Sequence, residues 1–423
     1  MKKQETQSAR GMPVALRAAA PDEEARAFLR FFNLFARRPL AEYSMPELRQ
    51  LWRLIALALG RRDPVASVTD HTIEGPAGNI ELRIFRTADG TNLPALLWCH
   101  GGGFVVGGVE TTDSICRNLA RTSGAAVVAV RYRLAPEHDL YAGREDVLAA
   151  IDWLARHGTS VWIDPDRLAI GGDSAGGNLA AAVAQECVRR GGPPLLLQVL
   201  AYPATTVGKD FPSKAENSHG YLLTAESMDW MKRVIAASVD LEDHWISPGL
   251  NPDLKGAPPA LIVTAGFDPI RDDGLNYASR LRVAGTCVEL LHYPGQFHGF
   301  LNFDAILGAA RDGLDRTGAA LYGAFHGVQP PDRTVEIGDR AASRPRPVRG
   351  AATQVVTATL MVWESVEQWG DTLLRLASPP AATAAAWACW PWLAPVRWAR
   401  GAVNARLNRL QALQTHPAAG SSS

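Results

Sequence analysis

The sequence has no surplus of either charge: 43 Lys and Arg side chains are balanced by 43 Asp and Glu. Without a basic excess there is no electrostatic footprint for a polyanion, and no nucleic-acid partner is expected. Cysteine is scarce. Cys99, Cys116, Cys187, Cys287 and Cys389 are odd in number, scattered, and form no CxxC pair, which fits a reducing compartment better than a disulfide framework. Cys99, beside His100, invites a thiol-nucleophile reading, but a buried strand cysteine describes it better. Met1-Lys2-Lys3-Gln4-Glu5 is a basic start with no apolar core after it. A secretory signal peptide is therefore not expected, and the chain is read as cytoplasmic. No HExxH occurs, and His292 with His298 makes no metal motif, so metal-assisted hydrolysis fits poorly and neither metal nor cofactor is expected. What is present is a globular composition, 47% hydrophobic and 20% charged over 423 residues, with room for a full core and more than one unit.

Residues 1–21 are small and polar without a clear period, and disorder is expected there. From 22 to 60 the pattern is helical: Phe28, Phe31, Phe32 and Phe35 recur at helical spacing, as do Leu48, Leu51, Trp52, Ile55 and Leu59. Pro39 and the start signal Ser44-Met45-Pro46-Glu47 divide two helices. Placed ahead of any strand, they read as part of a cap, and their apolar stripes read as core without chemistry. Beyond Arg61 the texture changes. Ser67–Glu74 and Ile80–Phe85 flank Gly75-Pro76-Ala77-Gly78, a hairpin signal. Apolar strand-like runs then alternate with helical ones: strands at 95–99, 125–130, 168–171, 195–202, 260–265 and 288–293, and helices at 112–122, 144–157, 176–190, 272–284 and 303–322. That rhythm predicts an α/β fold, a mostly parallel sheet with helices on both faces, over residues 61–325. Residues 203–259 interrupt it with a helical run at 227–238 and read as a cap insertion over the carboxyl ends of the strands, where open α/β sheets bind ligands.

The chemistry centres on Gly172-Asp173-Ser174-Ala175-Gly176, between the apolar run 168–171 and a helix-forming run. Gly-x-Ser-x-Gly at a strand-to-helix turn is the nucleophile-elbow pattern, with glycine wherever a side chain would strike a neighbouring strand or helix. Read alone, the pentapeptide favours the elbow over the alternative of a Gly-rich loop with a capping serine. An acyl-transfer serine needs a base, an orienting acid and oxyanion donors, and each has a candidate after a strand. Asp268 follows 260–265 and His298 follows 288–293, in the order Ser…Asp…His. His100-Gly101-Gly102-Gly103-Phe104 follows 95–99, and its glycines let backbone N–H groups turn into a site. The helix opening at Ala175 adds an N–H and a favourable dipole end. Separately, Asp268 is a turn residue before Pro269, His298 a loop histidine, and the glycine run a phosphate cradle lacking GxxxxGK or GxGxxG. Their conjunction at four strand ends argues for one site.

These residues resemble the bacterial hormone-sensitive-lipase family of esterases, α/β-hydrolases with a helical cap. The matching segments are His100–Phe104 (HGGGF), Tyr132–Glu137 (YRLAPE), Gly172–Gly177 (GDSAGG), Asp268–Asp272 (DPIRD) and His298-Gly299-Phe300. The resemblance implies Ser174 as nucleophile with Asp268 and His298 as partners, and an oxyanion hole from the amides of Gly102, Gly103 and Ala175. It implies structural support from His100, Gly101, Gly172, Asp173 and Gly176, a small-molecule ester of short to medium acyl chain as substrate, and compatibility with a homodimer. One departure is Asp139-Leu140-Tyr141-Ala142, where the family has a Pro-Phe-Pro segment. An inactive small-molecule receptor, and an amide or lactone hydrolase on the same triad, are the competing readings.

The resemblance ends near Phe325. Residues 326–352 read as a Pro-, Asp- and Arg-rich linker, and 353–423 as a helical extension rich in Trp and Arg. Val355, Val362, Val366, Trp369, Leu373 and Leu376 fall on one helical stripe, and Val403, Leu407, Leu410 and Leu413 on another. Between them 376–396 is uncharged, with Trp387, Trp390 and Trp392, yet it is interrupted by Pro379, Pro380, Pro391 and Pro395. Packing on the esterase or a second copy, lying on a lipid surface, and spanning a membrane are all open from the sequence.

Overall fold

The computed structural model describes residues 5–9, 11–35, 39–89, 92–236 and 239–338. The chain divides into Met1–Ala358 and Thr359–Ser423. The extension at 353–423, and the part of the expected linker beyond Gly338, lie outside the described residues.

In chain order the elements are strand β1 (Glu5–Ala9), helices α1 (Glu23–Phe35) and α2 (Met45–Leu59), and strands β2 (Ser67–Gly75), β3 (Gly78–Arg86) and β4 (Leu93–Cys99). Next come α3 (Asp113–Ser123), β5 (Ala126–Arg131), α4 (Leu140–His157), β6 (Ile163–Asp173), α5 (Ala175–Arg190) and β7 (Gln198–Ala201). The chain continues through α6 (Pro212–Glu216), α7 (Ala225–Ile235), β8 (Ala260–Phe267), α8 (Arg271–Val283), β9 (Val288–Phe297), α9 (Gly308–Phe325) and β10 (Arg333–Ile337). The strands form one ten-stranded sheet in the order β1-β10-β9-β8-β7-β6-β4-β5-β3-β2. Pairings from β10 across to β5 are parallel, while β1, β3 and β2 pair antiparallel. Every residue of β8 and β9 is buried, as a parallel strand covered on both faces requires. The hairpin of β2 and β3 closes on Gly75 opposite Gly78, around Pro76-Ala77.

Several boundaries follow from capping. Ser44 and Glu47 form a reciprocal capping box at the start of α2. Asp139 accepts from the Ala142 N–H and starts α4 at Leu140, a turn before the expected Arg144. The expected helix 303–322 begins later, because Phe300–Phe303 forms a separate 3₁₀ turn.

Two corrections concern the termini. Residues 1–21, expected to be disordered, carry β1, and the linker at 326–352 opens with β10. β1 pairs with β10, and β10 extends the sheet past β9. Neither strand can be recognised locally, since each is five residues long and its stability comes from main-chain pairing with a segment distant in sequence. The intervening residues are also tied down. Ala18 N–H donates to Pro294 O, and buried His292 contacts Thr264 Oγ1 through Nδ1 at 2.8 Å and the carbonyls of Ala15 and Leu16 through Nε2 at 3.1 Å. Burial holds His292 in its neutral form by pushing its pKa down to about 4.

Helix α1 seats its inner face on the sheet. Phe28 is fully buried, stacked on Phe297 at 5.4 Å and against Phe303 at 4.9 Å, a burial worth about 2–3 kcal/mol. Among the described residues no helix is long and apolar enough to cross a membrane.

Candidate active site

Ser174 lies between the last residue of β6 and the first of α5, with φ +56° and ψ −117°, a conformation that costs a non-glycine residue of order 1–3 kcal/mol. The surrounding glycines make it attainable. A Cβ on Gly172 would lie 2.4 Å from the Gly176 backbone, and one on Gly176 would lie 2.0 Å from Cys99 O at the end of β4. The Ser174 N–H donates to Ala201 O at 2.9 Å, which pins the turn to β7. The result is a half-buried hydroxyl at the carboxyl edge of the sheet.

The structure brings Asp268 and His298 to this hydroxyl, each directly after its strand. His298 Nε2 is 2.8 Å from Ser174 Oγ, and His298 Nδ1 is 2.9 Å from Asp268 Oδ2. With Nδ1–H donating to the carboxylate, Nε2 is left to accept the serine proton. Asp268 has no solvent exposure and its other oxygen accepts from the Ile270 N–H, so the carboxylate is fixed in place. Tyr202 meets the His298 ring edge-on, with the ring centroids 5.0 Å apart.

Gly102 and Gly103 sit beside the serine with φ +124° and +61°. Val105 and Val106 N–H both donate to Gly102 O, closing a tight turn. Among the described residues the N–H groups of Gly102, Gly103 and Ala175 find no protein acceptor. All three residues line the cavity that Ser174 opens into, and unpaired N–H donors are what a developing oxyanion requires. Gly101 N–H donates to Asp173 Oδ1 at 2.9 Å, and Asn302 donates to the other oxygen. Asp173 thereby links the serine turn to the glycine loop, while burial raises its pKa above the usual carboxylate range. His100 is buried under this loop. Its Nδ1 lies 2.8 Å from Gly101 O, its ring stacks on Tyr132 at 4.2 Å, and Tyr132 OH donates to His100 O. Burial lowers its pKa to about 4, so it stays neutral. The adjacent Cys99 thiol is fully buried and its pKa is driven far up by desolvation, which fits the strand-cysteine reading.

Above the serine lies a cavity of about 400 Å³, lined mainly by apolar groups of α1, α2 and α7, including Phe32, Leu48, Trp52, Ile55, Met228 and Met231. This corrects the expectation that the aromatic and leucine stripes of 22–60 are core without chemistry. Phe28 is core, but one turn on, Phe32 faces the cavity. Periodicity marks the apolar face of a helix and cannot say whether that face meets side chains or a ligand.

Residues not singled out from the sequence also shape the site. Asp22 accepts from Gln296 Nε2 at 2.6 Å and donates its N–H to Gly295 O, bracing the loop before His298. Arg144, fully buried, donates to Leu140 O, Ile246 O and Asn178 Oδ1 and contacts Trp245 O, tying the end of the 203–259 insertion to α4 and α5. Desolvation lowers its pKa to about 9. Asp273 is buried beneath the cavity, accepts from Thr205 and Thr206, and has its pKa raised to about 6 by burial. No motif marks Asp22 or Arg144, whose partners lie 274 and 102 residues away.

A parallel sheet carrying a serine on a strained strand-to-helix turn, with histidine and aspartate delivered from later strands, defines the α/β-hydrolase class. A family model described as alpha/beta hydrolase fold matches residues 96–302. The chain is 40% identical over 269 residues to esterase LipI of Mycobacterium tuberculosis, covering 62% of this chain and 84% of that protein. It is 36% identical over 272 residues to the ethyl acetate hydrolase of Pseudomonas putida, covering 63% and 86%. Among solved structures, the ester hydrolase EH1AB1 from the Lake Arreo metagenome superposes with a TM-score of 0.69 at 36% identity over 72% of this chain and 98% of that one. An esterase of Pyrobaculum calidifontis gives 0.65 at 38% identity, covering 69% and 96%. The chain belongs to the hormone-sensitive-lipase-like esterases of the α/β-hydrolase fold.

The contact between Gly176 and β4 predicts a sharp substitution effect. Gly176→Ala places a methyl group on the Cys99 carbonyl and is expected to destabilise the fold by about 3 kcal/mol, read as a lowered midpoint in urea. An unchanged midpoint would show that the turn is not held as described.

Proposed function

We propose that the chain is a serine carboxylesterase that hydrolyses short- to medium-chain acyl esters without metal or cofactor. The observation that carries this reading is the hydrogen-bonded series Ser174–His298–Asp268 at the floor of an apolar cavity. Relatives named esterase, carboxylesterase and ethyl acetate hydrolase support it.

The steps follow from the geometry. Ser174 Oγ attacks the ester carbonyl carbon while His298 Nε2 takes its proton. Asp268 holds the tautomer with Nδ1–H directed at itself and stabilises the imidazolium. The tetrahedral oxyanion sits among the amides of Gly102, Gly103 and Ala175, each donor contributing about 3 kcal/mol to transition-state stabilisation. As the tetrahedral species collapses, the C–O bond breaks, and His298 returns its proton to the departing alcohol. Water, deprotonated by the same imidazole, then releases the acid and restores the serine. A receptor reading has little support, because the histidine a dead enzyme would have lost stands within reach of Ser174. Amide or lactone cleavage uses the same groups, and a panel of esters, amides and lactones sorts them. Ser174→Ala is expected to abolish p-nitrophenyl butyrate hydrolysis while the far-ultraviolet circular dichroism stays native. Turnover retained in purified variant would overturn the assignment.

For the segment 353–423 we propose peripheral contact with a lipid surface, supported by its tryptophans and arginine-flanked amphipathic stripes. β10 runs parallel to β9, so the chain reaches Gly338 at the sheet edge that carries His298. A homodimer is proposed on family resemblance alone. Truncation after Gly338 is expected to preserve soluble-ester turnover and abolish sedimentation with anionic liposomes, whereas truncation after Phe325 also strips β10 from the sheet and lowers stability. Full-length protein that never sediments would refute the lipid contact.

A further inference from the structure

Cap helices meet the loop that bears Gly102 and Gly103 at two points. Met231 of α7 lies against Gly103, so that a Cβ there would sit 1.9 Å from its sulfur. The second contact is polar and comes from α2. Arg49 Nε donates to Val105 O at 2.9 Å, and Nη2 donates to Ala135 O at 3.0 Å. The same guanidinium closes a two-point pair with Glu137 at 2.9 and 2.6 Å.

The two carbonyls belong to segments that are themselves joined. Ala135 N–H donates to Phe104 O at 2.9 Å. Val105 and Ala135 are 1% and 3% exposed, and among the described residues no other protein donor reaches either oxygen. Val105 lies inside the turn whose N–H groups close on Gly102 O. A displacement at Val105 is therefore passed to Gly102 and Gly103, whose amides must hold position to within a fraction of an ångström for an oxyanion. If the ion pair served only to seat the cap, Glu137 alone would suffice as partner. The contacts to Val105 and Ala135 do something more specific.

We infer that Arg49 is a positioning residue for the oxyanion loop, acting from the cap through the carbonyls of Val105 and Ala135. The inference rests on the ester-hydrolase reading above and adds to it a coupling between the cap and the chemical step. Arginine is required because its planar fork meets several acceptors in different directions at once, which a lysine ammonium on a flexible stem cannot reproduce.

The test is a kinetic comparison of full-length wild type, Arg49→Met and Arg49→Lys, with Arg83→Met as the control. Arg83 makes an equivalent two-point pair with Asp70 on the β2–β3 hairpin, at 2.7 and 2.8 Å, remote from the site. For p-nitrophenyl butyrate, Arg49→Met is expected to lower kcat by about 10- to 100-fold with KM within about threefold. Affinity for a trifluoromethyl ketone, which mimics the tetrahedral oxyanion, should fall by the same factor as kcat/KM. Arg49→Lys, which keeps the charge and can still pair with Glu137, should fail to restore kcat, and Arg83→Met should match wild type. A wild-type kcat in either Arg49 variant, with only KM or Tm altered, would overturn the inference and reduce Arg49 to an anchor for the cap. An undiminished affinity for the ketone would overturn it as well. Absence of turnover in wild type would instead reject the ester-hydrolase reading itself.

Discussion

The site depends on one close approach, that of the β6–α5 turn to the end of β4. Gly176 passes so near Cys99 O that no β-carbon fits between them, and Gly172 in turn passes as near to Gly176. This packing forces Ser174 into a backbone region that ordinary residues avoid and aims its hydroxyl out of the sheet edge. It also fixes the distance between nucleophile and oxyanion loop, because β4 runs straight into His100–Gly103. The Asp173–Gly101 hydrogen bond locks the two together. The serine turn and the glycine loop are thus packed and hydrogen-bonded to each other, the arrangement that the proposed acyl transfer needs for preorganised electrostatic stabilisation.

Around that arrangement the N-terminal helices and the 203–259 insertion contact the segments that carry the site residues. Asp22 and Phe28 brace the segment that ends in His298, Arg49 and Met231 bear on the glycine loop, and Arg144 bolts the insertion to α4 and α5. The same helices line the cavity with apolar side chains. Apolar walls lower the local dielectric and so strengthen hydrogen bonds among charged groups beside them. The helices that line the cavity are therefore also the ones in contact with the glycine loop and with the segment before His298.

Much of this was legible in the sequence. The alternation of apolar runs with helical ones located the parallel sheet, and Gly172–Gly176, Asp268, His298 and the HGGG run each follow a strand where the fold places them. These signals are local: a glycine demanded by sterics, a nucleophile at a turn, a buried run between polar flanks. What escaped was non-local. β1 and β10 are strands only because they pair with each other and with β9. Arg49 occupies the polar side of an amphipathic helix, where an arginine that grips two distant carbonyls reads the same as one in water. The stripe of α1 and α2 is apolar by its spacing, yet Phe28 meets the sheet and Phe32 a cavity, a distinction that exists only once the tertiary structure does.

The central claim is that Ser174 carries the acyl group between two half-reactions. The most direct measurement is intact-protein mass after rapid acid quench of a reaction with p-nitrophenyl butyrate, followed by peptide mapping of any adduct. The account predicts a transient mass increase of one butyryl group, confined to the peptide containing Ser174 and discharged in time with release of free acid. An adduct on another residue, or hydrolysis proceeding with no covalent species at any time point under conditions where a saturating ester gives a burst of nitrophenol, would contradict it.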